Sequence, residues 1–191
     1  MSENRDAART AQVGPWVLDT REIGHRAGSS RQYTRSAPVP AGFGLDLIGV
    51  AEGEPVRLDL LAESVVEGVL VSGTASAELA GECARCLDPV ADEIEIELRE
   101  LYAYPDSTTD STTDEDEVSR VQDELIDLQP AVRDAMLLAM PSSPVCAEDC
   151  QGLCAGCGAK WAELDSDHTH ETIDPRWAAL RERFGGIEEE N

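Results

Sequence analysis

Alternation of apolar and polar side chains is the clearest pattern in the chain. Val56, Leu58 and Leu60 alternate with Arg57 and Asp59, the period of a half-buried strand. From Val65 to Leu79 the chain is rich in Val, Ala and Thr, with Val69, Val71, Ala75, Ala77 and Leu79 on one parity, and a second strand is predicted there. Gly68 and Gly73 inside that run point to a bulge or bend. The sharpest alternation sets Ile94, Ile96 and Leu98 against Glu93, Glu95, Glu97 and Arg99. Between the last two strands lies Cys83-Ala84-Arg85-Cys86-Leu87-Asp88-Pro89, so this cysteine pair belongs at a hairpin tip. One face of the third strand is acidic, the ordinary signature of a solvated surface.

The remaining segments organise around this sheet. Residues 1–14 are polar and unpatterned, a predicted disordered tail. A short apolar run at Trp16 to Leu18 follows, then an Arg, Gly and Ser stretch, and Pro38 and Pro40 lead extended chain towards Leu45, Leu47 and Val50. Residues 15–104 therefore read as a mainly antiparallel β region carrying the Cys-x-x-Cys hairpin. Asp106 to Glu117 reads DSTTDSTTDEDE, which has no apolar surface to offset its ordering entropy, so 105–118 is a predicted disordered acidic loop. Residues 119–141 read as a helical segment: Pro130 suits a first helical position, Val132, Met136 and Met140 share a stripe, and Pro141 stops it. A four-cysteine segment spans 142–173. A second helix is predicted over 174–185, with Asp174 as N-cap, Pro175 at N1, Trp177, Leu180 and Phe184 on one face, and Gly185-Gly186 at its end; residues 186–191 form a tail. The fold class is α+β, a curved antiparallel sheet or small open barrel with two helices and a C-terminal zinc-bound segment.

Charge changes the picture. The 191 residues hold 39 acidic and 15 basic side chains, a net of −24, and 41% hydrophobic residues are enough for a core. Residues 1–44 contain six Arg and four acids, a net of +2, which leaves nine basic and 35 acidic residues, a net of −26, in 45–191. Such a body cannot coat nucleic acid, which is bound by Lys and Arg releasing counterions, and it should not dock on an anionic membrane. The longest apolar run, Ala135 to Met140, is six residues, against the ~20 of a spanning helix. Arg5 and Arg9 are not followed by an apolar signal-peptide core, so a cytoplasmic protein is expected. No phosphate loop, nucleophile elbow or His-Glu-x-x-His motif occurs, so the expectation is a non-enzymatic protein.

The six cysteines fall in two groups, and in a reducing compartment they are poor disulfide candidates. Cys146-x3-Cys150-x3-Cys154-x2-Cys157, followed by Gly158, offers four soft ligands within twelve residues, enough for a structural zinc site in a segment with few apolar groups. Cys150, Cys154 and Cys157 also match the cluster-ligand spacing of radical enzymes that use S-adenosylmethionine. The chain lacks the length and strand–helix alternation of their barrel, and Cys146 would be left over. Cys83 and Cys86 alone cannot complete a zinc site. Three readings stay open: a site shared with Cys154 and Cys157, a redox dithiol whose pKa Arg85 lowers, or two small buried residues stiffening the hairpin. A thioredoxin-type motif opens a helix whereas this pair caps a hairpin, which favours a structural, recognition or secondary metal role for Cys83, Arg85 and Cys86. His168 and His170 are possible late ligands, with solvent exposure as the default because four cysteines already suffice.

Several segments taken together resemble the YceD family. Gly68-Val69-Leu70-Val71-Ser72-Gly73 and Glu82-Cys83-Ala84-Arg85-Cys86-Leu87 resemble its central hairpin. Ile126-Asp127-Leu128 leading through Val132-Arg133-Asp134 to Leu137-Leu138-Ala139-Met140-Pro141 resembles its following helix. The Cys146 to Gly158 cluster is similar to the tail of many bacterial members. The resemblance covers roughly residues 15 to 185, without the DSTT insert. It implies a bacterial protein that supports synthesis, processing or stability of large-subunit ribosomal RNA, with no catalytic residue to transfer and with Cys146, Cys150, Cys154 and Cys157 as metal candidates.

Such a role must be squared with the acidity of the body. One route is an acidic sheet face that grips a basic large-subunit ribosomal protein or assembly intermediate. The other is an arm carrying Arg21, Arg26, Arg31 and Arg35 that contacts ribosomal RNA while the body faces away. The first uses more of the sequence. Rival readings are a cytosolic redox dithiol enzyme and a zinc-stabilised adaptor unrelated to ribosomes.

Overall fold

The alternation of the central segments becomes one antiparallel sheet. A computed structural model describes residues 14–105, 107, 119–170, 176 and 183. Apart from single positions, the predicted N-terminal tail, the DSTT segment and the predicted C-terminal helix lie outside the described residues. In chain order the strands are β1 (Val17–Asp19), β2 (Ser30–Pro38), β3 (Ile48–Gly49), β4 (Pro55–Ser64), β5 (Gly68–Glu82), β6 (Pro89–Ala103) and β7 (Leu125–Asp127), followed by helix α1 (Gln129–Ala139).

The sheet runs β2, β4, β5, β6, all antiparallel, and β3 extends β4's side of β5 beyond the end of β4. On β4, Val56, Leu58, Leu60 and Ala62 point into the core, and Arg57, Asp59 and Leu61 point out. On β5 and β6 small residues face large ones on the buried side: Ala75 stands opposite Ile96 and Ala77 opposite Ile94. That pairing lets the branched side chains fill the layer without crowding. Among the described residues no pairing joins β2 to β6, so the sheet is open rather than closed into a barrel. One α-helix lies among the described residues, and the second predicted helix falls outside them apart from single positions.

The register of β5 against both neighbours is continuous, so neither glycine makes a bulge. Gly73 is instead a close crossing. Its φ is +144°, and a Cβ there would lie 2.1 Å from the Asp59 carbonyl oxygen on β4. Gly68 opens the strand after a turn in which the Val65 N–H donates to its carbonyl (2.9 Å).

The buried face is covered by α1 and by the N-terminal segments. Val132 and Met136 of α1 are fully buried, with Met140 just beyond, and the helix packs against β6. Gln129 N–H donates to the Asp127 carboxylate (2.9 Å), which caps the helix where Leu128 has no polar side chain to offer. The 119–141 segment is not helical throughout, because β7 pairs with β1 before α1 begins. Trp16 closes the same edge: its indole N–H donates to the Pro38 carbonyl (2.9 Å), and its ring lies 5.7 Å from that of Phe43. No helix among the described residues is long and apolar enough to cross a membrane.

Candidate metal centres and charged faces

The β5–β6 hairpin closes through a six-residue loop, Cys83 to Asp88. Cys83 N–H donates to the Asp88 carbonyl (2.7 Å) and Leu87 N–H returns to the Cys83 carbonyl (2.9 Å). Leu87 takes a left-handed φ of 63°, which tightens the loop. Both cysteines are buried, Cys83 completely. The tail then returns from α1 to this tip, where Ala84 N–H donates to the Pro144 carbonyl (2.8 Å).

That return brings two tail cysteines onto the hairpin pair. Cys86 Sγ lies 3.5 Å from Cys146 Sγ, and Cys83 Sγ lies 3.8 Å from Cys150 Sγ. The four sulfurs lie within 4.8 Å of one another. Arg85 reaches across the joint, its guanidinium donating to the carbonyls of Cys150 (2.8 Å) and Glu148 (3.3 Å). The arginine between the cysteines therefore organises the tail backbone. The Cys83 thiol is pushed down to about 6 foremost by the backbone N–H of Cys146, then by those of Arg85 and Cys86, against the opposing effect of burial. The Arg85 guanidinium, expected from the sequence to lower a thiol pKa, is not among the causes. For Cys86 a backbone N–H at Asp88 pulls downward, but burial and the thiols of Cys146, Cys83 and Cys150 push it up to about 12.

A second group follows directly. Leu153 N–H donates to the Arg85 carbonyl (3.1 Å), so the chain is docked on the first loop as it enters the next. Gly152 has a φ of +78°, and a Cβ there would lie 2.8 Å from the same carbonyl oxygen. Cys154 N–H then donates to the Ala159 carbonyl (2.7 Å), and Gly158 N–H to the Cys154 carbonyl (2.8 Å), with Gly158 at φ +74°. The Cys154 thiol is lowered first by the backbone N–H of Gly156 and next by that of Cys157. His168 Nε2 lies 3.5 Å from Cys154 Sγ and 3.6 Å from Cys157 Sγ, and 2.8 Å from His170 Nε2. The Trp161 ring meets the His168 ring edge-on at 5.7 Å. Ligand atoms of Cys154, Cys157, His168 and His170 also lie within 4.8 Å of one another.

The grouping thus differs from the one the spacing suggests. The four tail cysteines do not converge on one point. Cys146 and Cys150 join Cys83 and Cys86, while Cys154 and Cys157 join the two histidines. The hairpin pair does meet the tail, at Cys146 and Cys150 rather than at Cys154 and Cys157. His168 and His170 sit at ligand distance rather than in open solvent, although His170 remains exposed. Their signal in the sequence is the His-x-His spacing after a Cys-x2-Cys-Gly turn, beginning eleven residues beyond Cys157.

The charged faces are equally well defined. Glu93, Glu95 and Glu97 are all exposed on the outer side of β6, opposite Glu78, Ser76 and Thr74 of β5. Arg57 reaches Glu93 and Glu78 at 3.5 and 3.7 Å. The arginines of the N-terminal segment are largely engaged within the fold. Arg21 pairs with Asp19 (2.8 Å), Arg31 with Glu22 (3.2 Å), and Arg35 donates to the Val17 carbonyl (2.7 Å).

Comparison with known proteins places the chain among relatives by sequence. Residues 71–182 match the family model described as "Large ribosomal RNA subunit accumulation protein YceD", a span that includes both cysteine groups. An uncharacterized protein of Mycobacterium tuberculosis is 49% identical over 184 residues, 95% of this chain and 88% of that protein. An uncharacterized protein of Mycobacterium leprae is 42% identical over 168 residues, 88% of this chain and 77% of its own length. The uncharacterized protein YlbN of Bacillus subtilis is 32% identical over 127 residues, 66% of this chain and 72% of YlbN. No solved structure matches. With more than half of its length matched by the family model, and with relatives this similar over most of its length, the chain belongs to the YceD family.

Proposed function

We propose that this chain is a non-enzymatic factor supporting the accumulation of large-subunit ribosomal RNA, and that it does so by holding a basic ribosomal protein or assembly intermediate against the outer face of its sheet. The observation that carries this is the row Glu93, Glu95 and Glu97 on an edge strand, exposed along its length, with Glu78 directly opposite Glu93. Like charges opposite each other in a sheet oppose folding. Arg57 is the cation at contact distance from this pair. A basic partner laid along β6 neutralises the row and gains encounter rate from it.

The family description supplies the ribosomal setting, which favours a cytoplasmic location for such a factor. Of Arg21, Arg26, Arg31 and Arg35, three are occupied by Asp19, Glu22 and the Val17 carbonyl, which favours indirect contact with RNA. The redox reading of Cys83 and Cys86 is weakened by their place in a hairpin loop with two further thiols beside them. A dithiol enzyme exposes one thiolate to its substrate, whereas Cys83 is fully buried.

Affinity capture at low ionic strength tests the proposal with the full chain and a Glu93→Gln/Glu95→Gln/Glu97→Gln variant. The expected result is a basic large-subunit ribosomal protein retained by the parent chain, released by salt and lost from the variant. Recovery of ribosomal RNA without any ribosomal protein would sink the proposal.

A further inference from the structure

We infer that the chain binds two zinc ions in separate tetrahedral centres, one held by Cys83, Cys86, Cys146 and Cys150 and the other by Cys154, Cys157, His168 and His170. The distances that involve the sulfurs fit the ion. Thiolates about 2.3 Å from zinc form a tetrahedron with edges of about 3.8 Å, and a sulfur–nitrogen edge of about 3.6 Å. The first group shows sulfur–sulfur distances of 3.5 and 3.8 Å, and the second shows sulfur–nitrogen distances of 3.5 and 3.6 Å. Thiolate and imidazole donors in closed sets of four are the structural zinc pattern, with no position left for substrate.

The two centres are built on the same local frame. In each, the first cysteine of a Cys-x2-Cys pair donates its N–H to the carbonyl five residues on, and its carbonyl accepts from the N–H four residues on. In each, that fourth residue is left-handed: Leu87 in one, Gly158 in the other. In each, the first sulfur is faced by the backbone N–H groups two and three residues later, those of Arg85 and Cys86 and those of Gly156 and Cys157. Such loops aim several N–H dipoles at one sulfur, an arrangement that stabilises a metal-bound thiolate. The frames touch through the Lys160–Asp88 ion pair.

The remaining ligands are delivered differently. The first centre takes its second pair from a turn 60 residues downstream, so its metal clamps the tail to the hairpin. The second takes its pair from the chain just beyond its own loop. Gly156 makes this possible: a Cβ there would lie 2.3 Å from the His170 ring. The charges differ too. Four thiolates on a divalent ion leave a formal 2 − 4 = −2, beside Arg85 and Lys160, whereas two thiolates and two neutral imidazoles leave zero.

This assignment does not depend on the ribosomal reading, and its test reads metal alone. Cobalt titrated into metal-free full-length protein is expected to saturate at two equivalents, with thiolate-to-cobalt absorption summing to six thiolates. A His168→Ala/His170→Ala variant should keep one equivalent, with the spectrum of a tetrathiolate site. A Cys83→Ser/Cys86→Ser variant should lose that spectrum. Saturation at one equivalent would overturn the inference, as would a tetrathiolate spectrum that survives loss of Cys83 and Cys86. The titration of the parent chain needs no substitution, so it stands even where a variant fails to fold.

Discussion

Along β4, buried residues recur at every second position from Val56 to Ser64, whereas across residues 141–170 only Pro144, Gly152 and Cys154 are buried. The sheet has enough apolar surface to order itself, at roughly 25 cal/mol per Å² removed from water. The tail has almost none, yet it follows a defined path over the hairpin tip. That path is held by backbone hydrogen bonds and brings together two sets of four potential metal-ligating atoms. With the two ions bound as inferred above, two parts of one short chain are ordered by different physics, hydrophobic burial in one and coordination in the other.

Removing metal should separate the two parts, and this is the largest effect expected. With a strong chelator, amide exchange protection is lost across residues 144–170 and at the Cys83–Asp88 loop but kept in β4, β5 and α1. Simultaneous loss from both regions would show that the sheet needs the metal. The converse is a core truncation. Met136 is fully buried, and Met136→Ala should cost about 2–5 kcal/mol in denaturant melts, with metal content unchanged.

Gly156→Ala acts within the tail alone. Its methyl group occupies the place of the His170 ring, so a zinc-chelator competition should show one of two metals released more readily and the other unaffected. The smallest effect belongs to Asp88→Asn. The Lys160 hydrogen bond lowers the Asp88 pKa, so its contribution is present above the ordinary carboxylate range and fades as pH falls through the lowered value. Both groups are partly exposed, and the melting midpoint at neutral pH should scarcely move.

How much of this was legible follows from range. The period of two at Val56–Leu60 and Ile94–Leu98 survives in any local window, and so do the stripe and Pro130 of α1. Gly73 announced an irregularity, but a local pattern cannot separate a bulge from a crossing with Asp59 on another strand. The β1–β7 ribbon joins three-residue strands more than a hundred residues apart, too short to show a period. The cysteines fail for the same reason. Nearness in sequence groups Cys146 with Cys157, while the fold sends Cys146 and Cys150 back to a hairpin tip 60 residues earlier and leaves Cys154 and Cys157 for the histidines. The incomplete pair at Cys83 and Cys86 was the clue, since two thiols need two more.

A native mass spectrum of the freshly purified full-length chain tests the central claim most directly. Two zinc ions per chain, falling to one in His168→Ala/His170→Ala, are predicted. A single zinc that is indifferent to both histidines and to Cys83 and Cys86 would contradict the account.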